Sequence, residues 1–424
     1  MDHVVSDLRC SPGELSFRAQ IGDRDERIWL RANEGPIASG GDAALAGCLM
    51  PAMSSGGRLT LEAPVSPKVL RGQREYQAVQ RAWSLEWEFQ EAPLEEVDVL
   101  APAQPPGPGK PERIAAFFSG GVDSWSTLLD HPEVTDLIFV RGIDLVPGLA
   151  QHQTLGPVVE RRLKEVADGM GLALHVVDTN LRNLSDPLVR WEAYFGCTCT
   201  AVALFLAPRF ERVLIAGAMD HEVDEPMGVA RLIDHLWSTE QLEIVDDGGR
   251  YSRAERTRLI SKHPLVKRSL RVCWENRDGA YNCGSCRKCL MTMITLEAFG
   301  VRTEIETFPP HLDLDDVAAI EIKQVILLTL WEDVLDAVRA EGRSDLEPPV
   351  EEAVERAKRE LGLPATYRRR HLPGPPPLHA PIVKSMAPSD SDLTLAEVLG
   401  SRSWRLTAPL RRAGAVVRRL RRPR

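Results

Sequence analysis

The amino-acid sequence predicts an α/β protein with a doubly wound parallel sheet, preceded by an α+β unit and followed by a helical region. Two observations from residue 113 onward lead to this fold class. Short apolar runs recur, and such runs are typical of strands that are buried on both faces of a sheet. Amphipathic stretches with helical spacing separate these runs, and the alternation predicts helices on both faces of one sheet.

The predicted elements follow in order along the chain. Among the first hundred residues, alternation of apolar and polar residues predicts a strand at 14–21, a partner strand at 27–30 and a short helix at 42–53. The apolar runs of the sheet region predict strands at 114–118, 137–140, 173–177 and 213–216. Helices are expected from about residue 123, at 155–170 and near 198–207.

Changes in composition divide the chain into segments. Prolines and glycines interrupt regular structure, so they predict a linker after residue 100 and an extended segment after residue 363. The predicted segments are a small α+β domain of unknown role at 1–100, a linker at 101–112, the sheet domain at 113–310, a helical extension at 311–363, a proline-rich extended segment at 364–400, and a basic amphipathic tail at 401–424.

Composition restricts the class of protein. Of 424 residues, 43% are hydrophobic and 27% are charged, as in ordinary globular proteins. No uncharged apolar run is long enough to cross a membrane. The first residues lack the basic and apolar stretches of a secretory signal. The sequence therefore predicts a cytoplasmic protein.

Positive charge is concentrated at the C-terminal end. The chain carries a net charge of -9, but residues 401–424 contain nine arginines and no acidic residue, so the first 400 residues carry -18. An acidic body argues against tRNA as a partner, because nucleic acids bind basic surfaces. The tail spaces apolar residues as an amphipathic helix does. It is expected either to contact anionic lipid at the inner membrane surface or to be a solvated tail.

The strongest motif is a glycine-rich loop directly after the first strand of the sheet domain, Ser119-Gly120-Gly121-Val122-Asp123-Ser124. Its glycines let the backbone approach a phosphate closely, and the free N–H groups at the start of the following helix favour anions. The hydroxyls of Ser119 and Ser124 add donors. Asp123 would repel phosphate unless Mg²⁺ lay between them, so the motif predicts a site for phosphate with Mg²⁺. The alternative is a tight turn without a ligand.

Four cysteines within 17 residues form a second motif, C-x9-C-x2-C-x2-C. Thiolates spaced in this way can hold one ion from a single turn, and four of them suit tetrahedral Zn²⁺ or an iron–sulfur cluster. Four protein ligands leave no open position for water, so a structural role is expected for the metal. The predicted ligands are Cys273, Cys283, Cys286 and Cys289.

In this order, the loop and the cysteines resemble the 7-cyano-7-deazaguanine synthases of the PP-loop ATP pyrophosphatase superfamily, over about residues 113–300. The resemblance implies an adenine nucleotide alpha hydrolase-like fold. It also implies that ATP adenylates a carboxylate, that ammonia displaces AMP to give an amide, and that dehydration gives a nitrile. The N-terminal unit, the basic tail and the residues after the fourth strand depart from the family, so the chain is identified as a divergent member.

The resemblance implies roles for particular residues. Ser119, Asp123 and Ser124 are the expected catalytic residues, with ATP, Mg²⁺ and Zn²⁺ as cofactors. The expected nucleotide-binding residues are Ser119, Gly120, Gly121, Val122, Asp123 and Ser124, together with Val140 and Arg141 at the carboxyl end of the second strand.

Substrate candidates follow the fourth strand, because ligands of doubly wound sheets lie beyond the carboxyl ends of the strands. These candidates are Asp220, His221, His235 and Ser238. Arg253, Arg256 and Lys262 are expected either to face pyrophosphate or to form an exposed helix face. The expected substrate is a small-molecule or protein-terminus carboxylate. The tail is similar to tails of cell-envelope polysaccharide enzymes, which implies a uronic-acid sugar as an alternative.

The sequence leaves two other functions open. Cys197 and Cys199 would have a lowered pKa at the start of an apolar helix, which would suit sulfur transfer to tRNA or to a small molecule. Two small buried residues are the alternative interpretation of this pair. The other open function is a non-catalytic ATP-binding scaffold.

Overall fold

The computed structural model describes residues 1–368 except 34–36, 39, 86–91, 104–110, 147–149, 222 and 224–226. Most of the predicted linker, almost all of the predicted extended segment and the whole basic tail therefore lie outside the described residues. None of the described helices is long and apolar enough to cross a membrane.

All the described strands join in one sheet. The strands are β1 (Asp2–Ser11), β2 (Glu14–Ile21), β3 (Arg24–Ala32), β4 (Gly57–Leu61), β5 (Val97–Leu100), β6 (Ile114–Phe117), β7 (Asp136–Arg141), β8 (Ala173–Thr179), β9 (Arg212–Ala216) and β10 (Glu243–Asp247). Their order in the sheet is β10-β9-β6-β7-β8-β3-β2-β1-β4-β5.

Helices connect and cover the strands. The described α-helices are α1 (Gly41–Met53), α2 (Pro67–Ser84), α3 (Val122–Asp130), α4 (Ala150–Met170), α5 (Leu181–Ser185), α6 (Trp191–Phe205), α7 (Arg253–Ser261), α8 (Pro264–Ser269), α9 (Arg287–Ala298), α10 (Leu314–Ala318), α11 (Val325–Ala340) and α12 (Glu347–Glu360).

One half of the sheet is parallel and has a reversal of strand order at its centre. The strands β10, β9, β6, β7 and β8 all run in the same direction. From β6 the chain proceeds outward to β7 and β8, then crosses back to β9 and β10 on the other side. This reversal makes the carboxyl end of β6 a switch point, where doubly wound sheets form a crevice for ligands.

Alternate residues of the parallel strands pack on opposite faces of the sheet. Ile138 and Val140 of β7 join a core with residues of α1 and α6, whereas Leu137 and Phe139 join a second core with residues of α3 and α4. Helices therefore cover both faces of the sheet, and the predicted α/β class with a mainly parallel sheet is confirmed.

The N-terminal residues continue the same sheet. Strand β3 pairs antiparallel with β8, with Leu30 opposite Thr179, and the side chain of Asn180 accepts a hydrogen bond from Trp29 N (2.8 Å). The pairing covers what would be an open edge of the parallel half. All the described residues fall in one compact unit. Residues 1–100 contain the predicted mixture of strands and helices, but they share a sheet and a core with the residues that follow.

Several predicted elements have different ends in the structure. Strand β2 has the predicted bounds, whereas α6 begins at Trp191, seven residues before the predicted start. Twelve of the 15 residues of α6 are buried, so this helix lacks the polar stripe that reveals a helix in a sequence. Beyond α9, the three helices α10, α11 and α12 pack around a third core that includes Trp331.

Candidate functional site

The glycine-rich loop leaves the carboxyl end of β6 and opens α3. Gly120 adopts a left-handed conformation (φ +77°), which favours glycine. Ser124 Oγ donates to Gly121 O (3.1 Å) within the first turn of α3, whereas Ser119 is exposed and its Oγ accepts from Gly121 N (3.4 Å). Val122 is buried in the core. The first amides of a helix have no acceptor within it, so the loop can hold an anion here.

Asp123, in the first turn of α3, is held by two arginines of α7. Arg253 Nη1 donates to Asp123 Oδ2 (2.6 Å), and Arg256 Nη1 donates to Asp123 Oδ1 (2.9 Å). Burial disfavours the ionised carboxylate, but the charges and hydrogen bonds of the two arginines outweigh burial and lower the pKa of Asp123. The three side chains together carry a positive charge.

Arg256 is fully buried and connects the loops around the switch point. Besides Asp123, its guanidinium donates to the backbone oxygens of Gly217 (2.6 Å), Met219 (3.3 Å), Gly248 and Tyr251 (3.0 Å). A guanidinium has five N–H donors, so every donor of Arg256 has an acceptor. Arg256 therefore ties the segments after β9 and β10 to the start of α3.

The helix that carries both arginines is fixed at its N-terminus from two sides. Ser252 and Glu255 form a capping box, in which Ser252 Oγ accepts from Glu255 N (3.3 Å) and Glu255 Oε2 accepts from Ser252 N (2.8 Å). Asp333 of α11 is buried and accepts from Ala254 N (2.8 Å). The C-terminal helices thus hold α7 in place, whereas Lys262 follows α7 and is exposed.

The other two predicted nucleotide-binding residues have partners in and beside β7. Val140 is buried in the core. Arg141 forms a bidentate salt bridge with Asp178 of β8 (2.5 and 2.7 Å) and a second salt bridge with Glu160 of α4 (3.1 Å). These contacts hold β7 to its neighbours, and they do not bring Arg141 to the arginines of α7.

The predicted substrate residues are divided between two places. Asp220 is buried and His221 is exposed, and both follow the backbone segment that Arg256 binds. His235 is exposed, and its Nδ1 lies 2.9 Å from Arg231 O. Ser238 is buried and accepts from Ile244 N (3.0 Å), so it fixes the start of β10.

The four predicted metal ligands come together. The Sγ atoms of Cys273, Cys283, Cys286 and Cys289 all lie within 4.8 Å of one another. Individual Sγ–Sγ separations are 3.5 Å from Cys273 to Cys283, 3.8 Å from Cys273 to Cys286 and 4.0 Å from Cys283 to Cys289. Four sulfurs bound tetrahedrally at about 2.3 Å from one ion would be about 3.8 Å apart. The group can therefore hold a metal ion.

Backbone and side-chain groups support the cysteines. Asn276 N donates to Cys273 Sγ (3.1 Å), and Cys286 N donates to Cys283 Sγ (3.3 Å). Such bonds stabilise thiolates, the form that binds metals. Hydrogen bonds from the Cys286 and Cys289 thiols lower the pKa of Cys273, and the same contacts raise the pKa of Cys286 and that of Cys289, so without a metal the negative charge is favoured on Cys273.

The cysteine segment is in direct contact with the glycine-rich loop. Arg271 N donates to Gly120 O (2.8 Å). The side chain of Asn282 accepts hydrogen bonds from Val272 N (2.9 Å) and Cys273 N (3.2 Å). These bonds fix the segment that carries Arg271. The cysteine segment and the glycine-rich loop are therefore directly connected.

Three residues that support the loop, α7 and the cysteine segment were not predicted as functional: Arg271, Asn282 and Asp333. Asp333 lies 79 residues from the amide that it binds, so no local pattern reveals it. Arg271 acts through its backbone amide, which carries no sequence signal. Asn282 stands directly before Cys283, so its position beside the cysteine motif is the one signal that could have identified it.

The cysteine pair of α6 lacks the properties of a sulfur carrier. Cys197 and Cys199 are buried and lie in the second turn of the helix and beyond, because α6 begins at Trp191. Burial raises the pKa of Cys197 to about 12 and raises that of Cys199 as well. Cys197 Sγ lies 3.0 Å from the buried Tyr76 hydroxyl. The structure thus agrees with the interpretation of the pair as two small buried residues and not with a lowered pKa.

Comparison with known proteins adds no relative. No protein-family model matches the sequence, and no match is found among curated sequences or among solved structures.

Proposed function

We propose that the chain is a PP-loop ATP-dependent ligase that adenylates a carboxylate and joins it to ammonia. One observation carries the proposal. The glycine-rich loop opens α3 at the switch point of five parallel strands, and the guanidinium groups of Arg253 and Arg256 lie beside it. Backbone amides at a helix start and a net positive charge are the features that bind phosphate groups.

The proposed reaction uses these groups in sequence. The loop amides and Arg253 bind the phosphates of ATP. A carboxylate oxygen of the substrate attacks the α-phosphorus, and pyrophosphate leaves. Ammonia then attacks the acyl carbon, AMP leaves, and an amide is formed; activation of the amide oxygen by a second ATP would lead to a nitrile. Positive charge at the loop stabilises the charge that develops on pyrophosphate.

Zinc is the metal that we propose for the four cysteines. The sulfur atoms lie close enough together to surround a single ion, and four thiolates suit tetrahedral zinc. Four protein ligands leave no position for water, so zinc would supply structural support and no catalysis. In this role it would hold the segment that contacts Gly120.

Exchange of labelled pyrophosphate into ATP tests the proposed reaction. The zinc-loaded chain would be assayed with 7-carboxy-7-deazaguanine, uronic acids and peptides with free C-termini. We expect exchange that depends on one class of carboxylate. We also expect it to fall at least about tenfold in Arg253→Gln, because a charge-assisted hydrogen bond to phosphate is lost.

A matched control is Arg258→Gln on the same helix. Arg258 pairs with Glu341 at the surface and stacks on Phe299, away from Asp123. It should retain the exchange activity of the wild type. ATP binding without exchange for any carboxylate would contradict the proposed ligase and favour a non-catalytic scaffold.

A further inference from the structure

We infer that Asp123 is a positioning residue that holds Arg253 at the glycine-rich loop, where Arg253 binds the phosphates, and that Asp123 is not a ligand of Mg²⁺. The inference rests on the proposed function, because it assigns roles within the proposed ATP site. It differs from the sequence-based expectation that a magnesium ion separates Asp123 from phosphate.

The contacts of Asp123 do not fit a magnesium ligand. Both carboxylate oxygens accept hydrogen bonds from guanidinium groups, at 2.6 Å from Arg253 and 2.9 Å from Arg256. The carboxylate and the two guanidiniums together carry one positive charge. A dication at this place would be repelled by two arginines, whereas an anion would be attracted. Mg²⁺ also demands near-ideal octahedral oxygen coordination, which two guanidiniums obstruct.

The two arginines have different roles. Arg256 is fully buried, and the acceptors around it use all of its donors, so it cannot turn to a ligand without losing several hydrogen bonds. The Arg253 side chain is 13% exposed, and Asp123 is the only acceptor for its guanidinium in the part of the chain that the structure describes. Arg253 therefore retains donors for a phosphate group, and Asp123 fixes where they lie.

This arrangement places the anion-binding charge on the protein and not on a resident metal. Mg²⁺ that accompanies ATP in solution can be held by the phosphate oxygens themselves. The loss of Asp123 or Arg253 should therefore weaken ATP binding whether or not Mg²⁺ is present. Loss of a magnesium ligand would instead weaken binding only in the presence of Mg²⁺.

Calorimetric titration of ATP into the zinc-loaded chain, in buffer with Mg²⁺ and in buffer with EDTA after zinc retention is verified, tests the inference. We expect Arg253→Gln to weaken ATP binding about tenfold or more, by the same factor in both buffers. Asp123→Asn should weaken it in both buffers too. The double variant should lose less affinity than the sum of the two single losses, because Asp123 acts in part through Arg253.

Arg253→Gln keeps the test decisive if Asp123→Asn does not fold, because it leaves the pair between Asp123 and the buried Arg256 intact. Arg258→Gln serves as the matched control, with affinity unchanged in both buffers. A loss confined to Mg²⁺ buffer in Asp123→Asn, or unchanged binding in Arg253→Gln, would overturn the inference alone. A wild-type chain that binds no ATP in either buffer would overturn the proposed function, and this inference with it.

Discussion

Arg256 shows how one side chain can connect several segments around the glycine-rich loop. It is the fully buried counter-charge of Asp123 and the donor to four backbone oxygens of the segments after β9 and β10. Breaking a buried ion pair by removing one partner commonly costs about 3–5 kcal/mol, because the other charge is left without compensation. The geometry of the glycine-rich loop and of the neighbouring strand ends therefore depends on this residue.

The carboxyl group of Asp42 leads to a prediction about how the stability of the fold depends on pH. It lies in the first turn of α1, where Asp42 Oδ1 accepts from Ser66 N (2.7 Å). Burial, together with the charge of Glu240, raises the pKa of Asp42 to about 6, against 3.8 for the ordinary side chain. Because the folded pKa exceeds the unfolded pKa, ionisation destabilises the folded chain. The stability that protonation provides is present below pH 4 and is lost as the pH rises through 6.

Asp42→Asn keeps an acceptor for Ser66 N and removes the charge. We expect its free energy of unfolding, relative to the wild type, to rise by about 1 kcal/mol between pH 5 and pH 8. Urea unfolding followed by circular dichroism would measure this difference. Asp98→Asn on the exposed surface of β5 is the control and should show no such trend. If the difference in the free energy of unfolding between Asp42→Asn and the wild type did not change with pH, that result would contradict the raised pKa of Asp42.

Sequence patterns predicted which residues form the site, but they did not predict which residues those side chains contact. The spacing of the cysteines predicted that they would meet, because their ligand atoms are close along the chain as well as in space. The loop before α3 was predicted from its glycines and from its place after a strand. The pairing of Asp123 with Arg253 joins residues 130 apart, and no local periodicity reports such a contact.

At the scale of elements, the cysteine segment is a support for the glycine-rich loop. It leads into α9 through Cys286, which occupies the N-cap position of this helix. Its preceding residues reach the loop through the hydrogen bond from Arg271 N to Gly120 O. A change in the metal site should therefore spread to the loop.

Removal of the metal tests this connection. We expect Cys286→Ser, or extraction of the proposed zinc by a chelator, to increase amide hydrogen exchange at residues 270–289 and also at residues 119–124. The physical reason is that structural zinc supplies folding free energy to the segment that binds it. Hydrogen exchange with mass spectrometry, together with metal analysis, would measure both effects. Cys10→Ser is the control, because Cys10 is exposed and lies outside the cysteine cluster. It should change neither the metal content nor the exchange at these two segments.

An unchanged exchange rate at residues 119–124 after complete loss of metal would contradict the connection. It would then follow that the hydrogen bond from Arg271 contributes little to the loop. Exchange that rises throughout the chain would indicate global unfolding, which thermal unfolding of the same sample would reveal.

At the scale of the whole molecule, the described chain has one continuous sheet where the sequence predicted two domains. The antiparallel pairing of β3 with β8 joins residues about 150 positions apart, and a proline-rich segment lies between them. Proline and glycine mark an interruption of regular structure, but they do not show whether the parts on either side share a core. Local patterns therefore predicted elements such as β2, but they could not show that the residues on either side of the proline-rich segment share one sheet.

The shared core leads to a prediction about truncation. Helix α6 of the sheet region packs against α1 and α2, where the Tyr194 hydroxyl donates to Gly47 O (2.7 Å) and the Tyr76 hydroxyl meets Cys197. A fragment of residues 113–368 would expose this helix, 12 of whose 15 residues are buried in the full chain, and would open the edge of β8. We expect that fragment to aggregate or to lack fixed tertiary structure, because exposed apolar surface and an open strand edge promote association.

Size-exclusion chromatography and near-ultraviolet circular dichroism of the two fragments 113–368 and 1–368 would decide the matter. Fragment 1–368 keeps the described sheet and every described core, so it should be soluble and give the near-ultraviolet spectrum of the full-length chain. A monomeric 113–368 fragment with a native-like near-ultraviolet spectrum would show that the first hundred residues are an accessory domain. If instead only 1–368 folds, residues 1–100 are part of the scaffold that positions the glycine-rich loop, because the parallel half of the sheet does not fold without them.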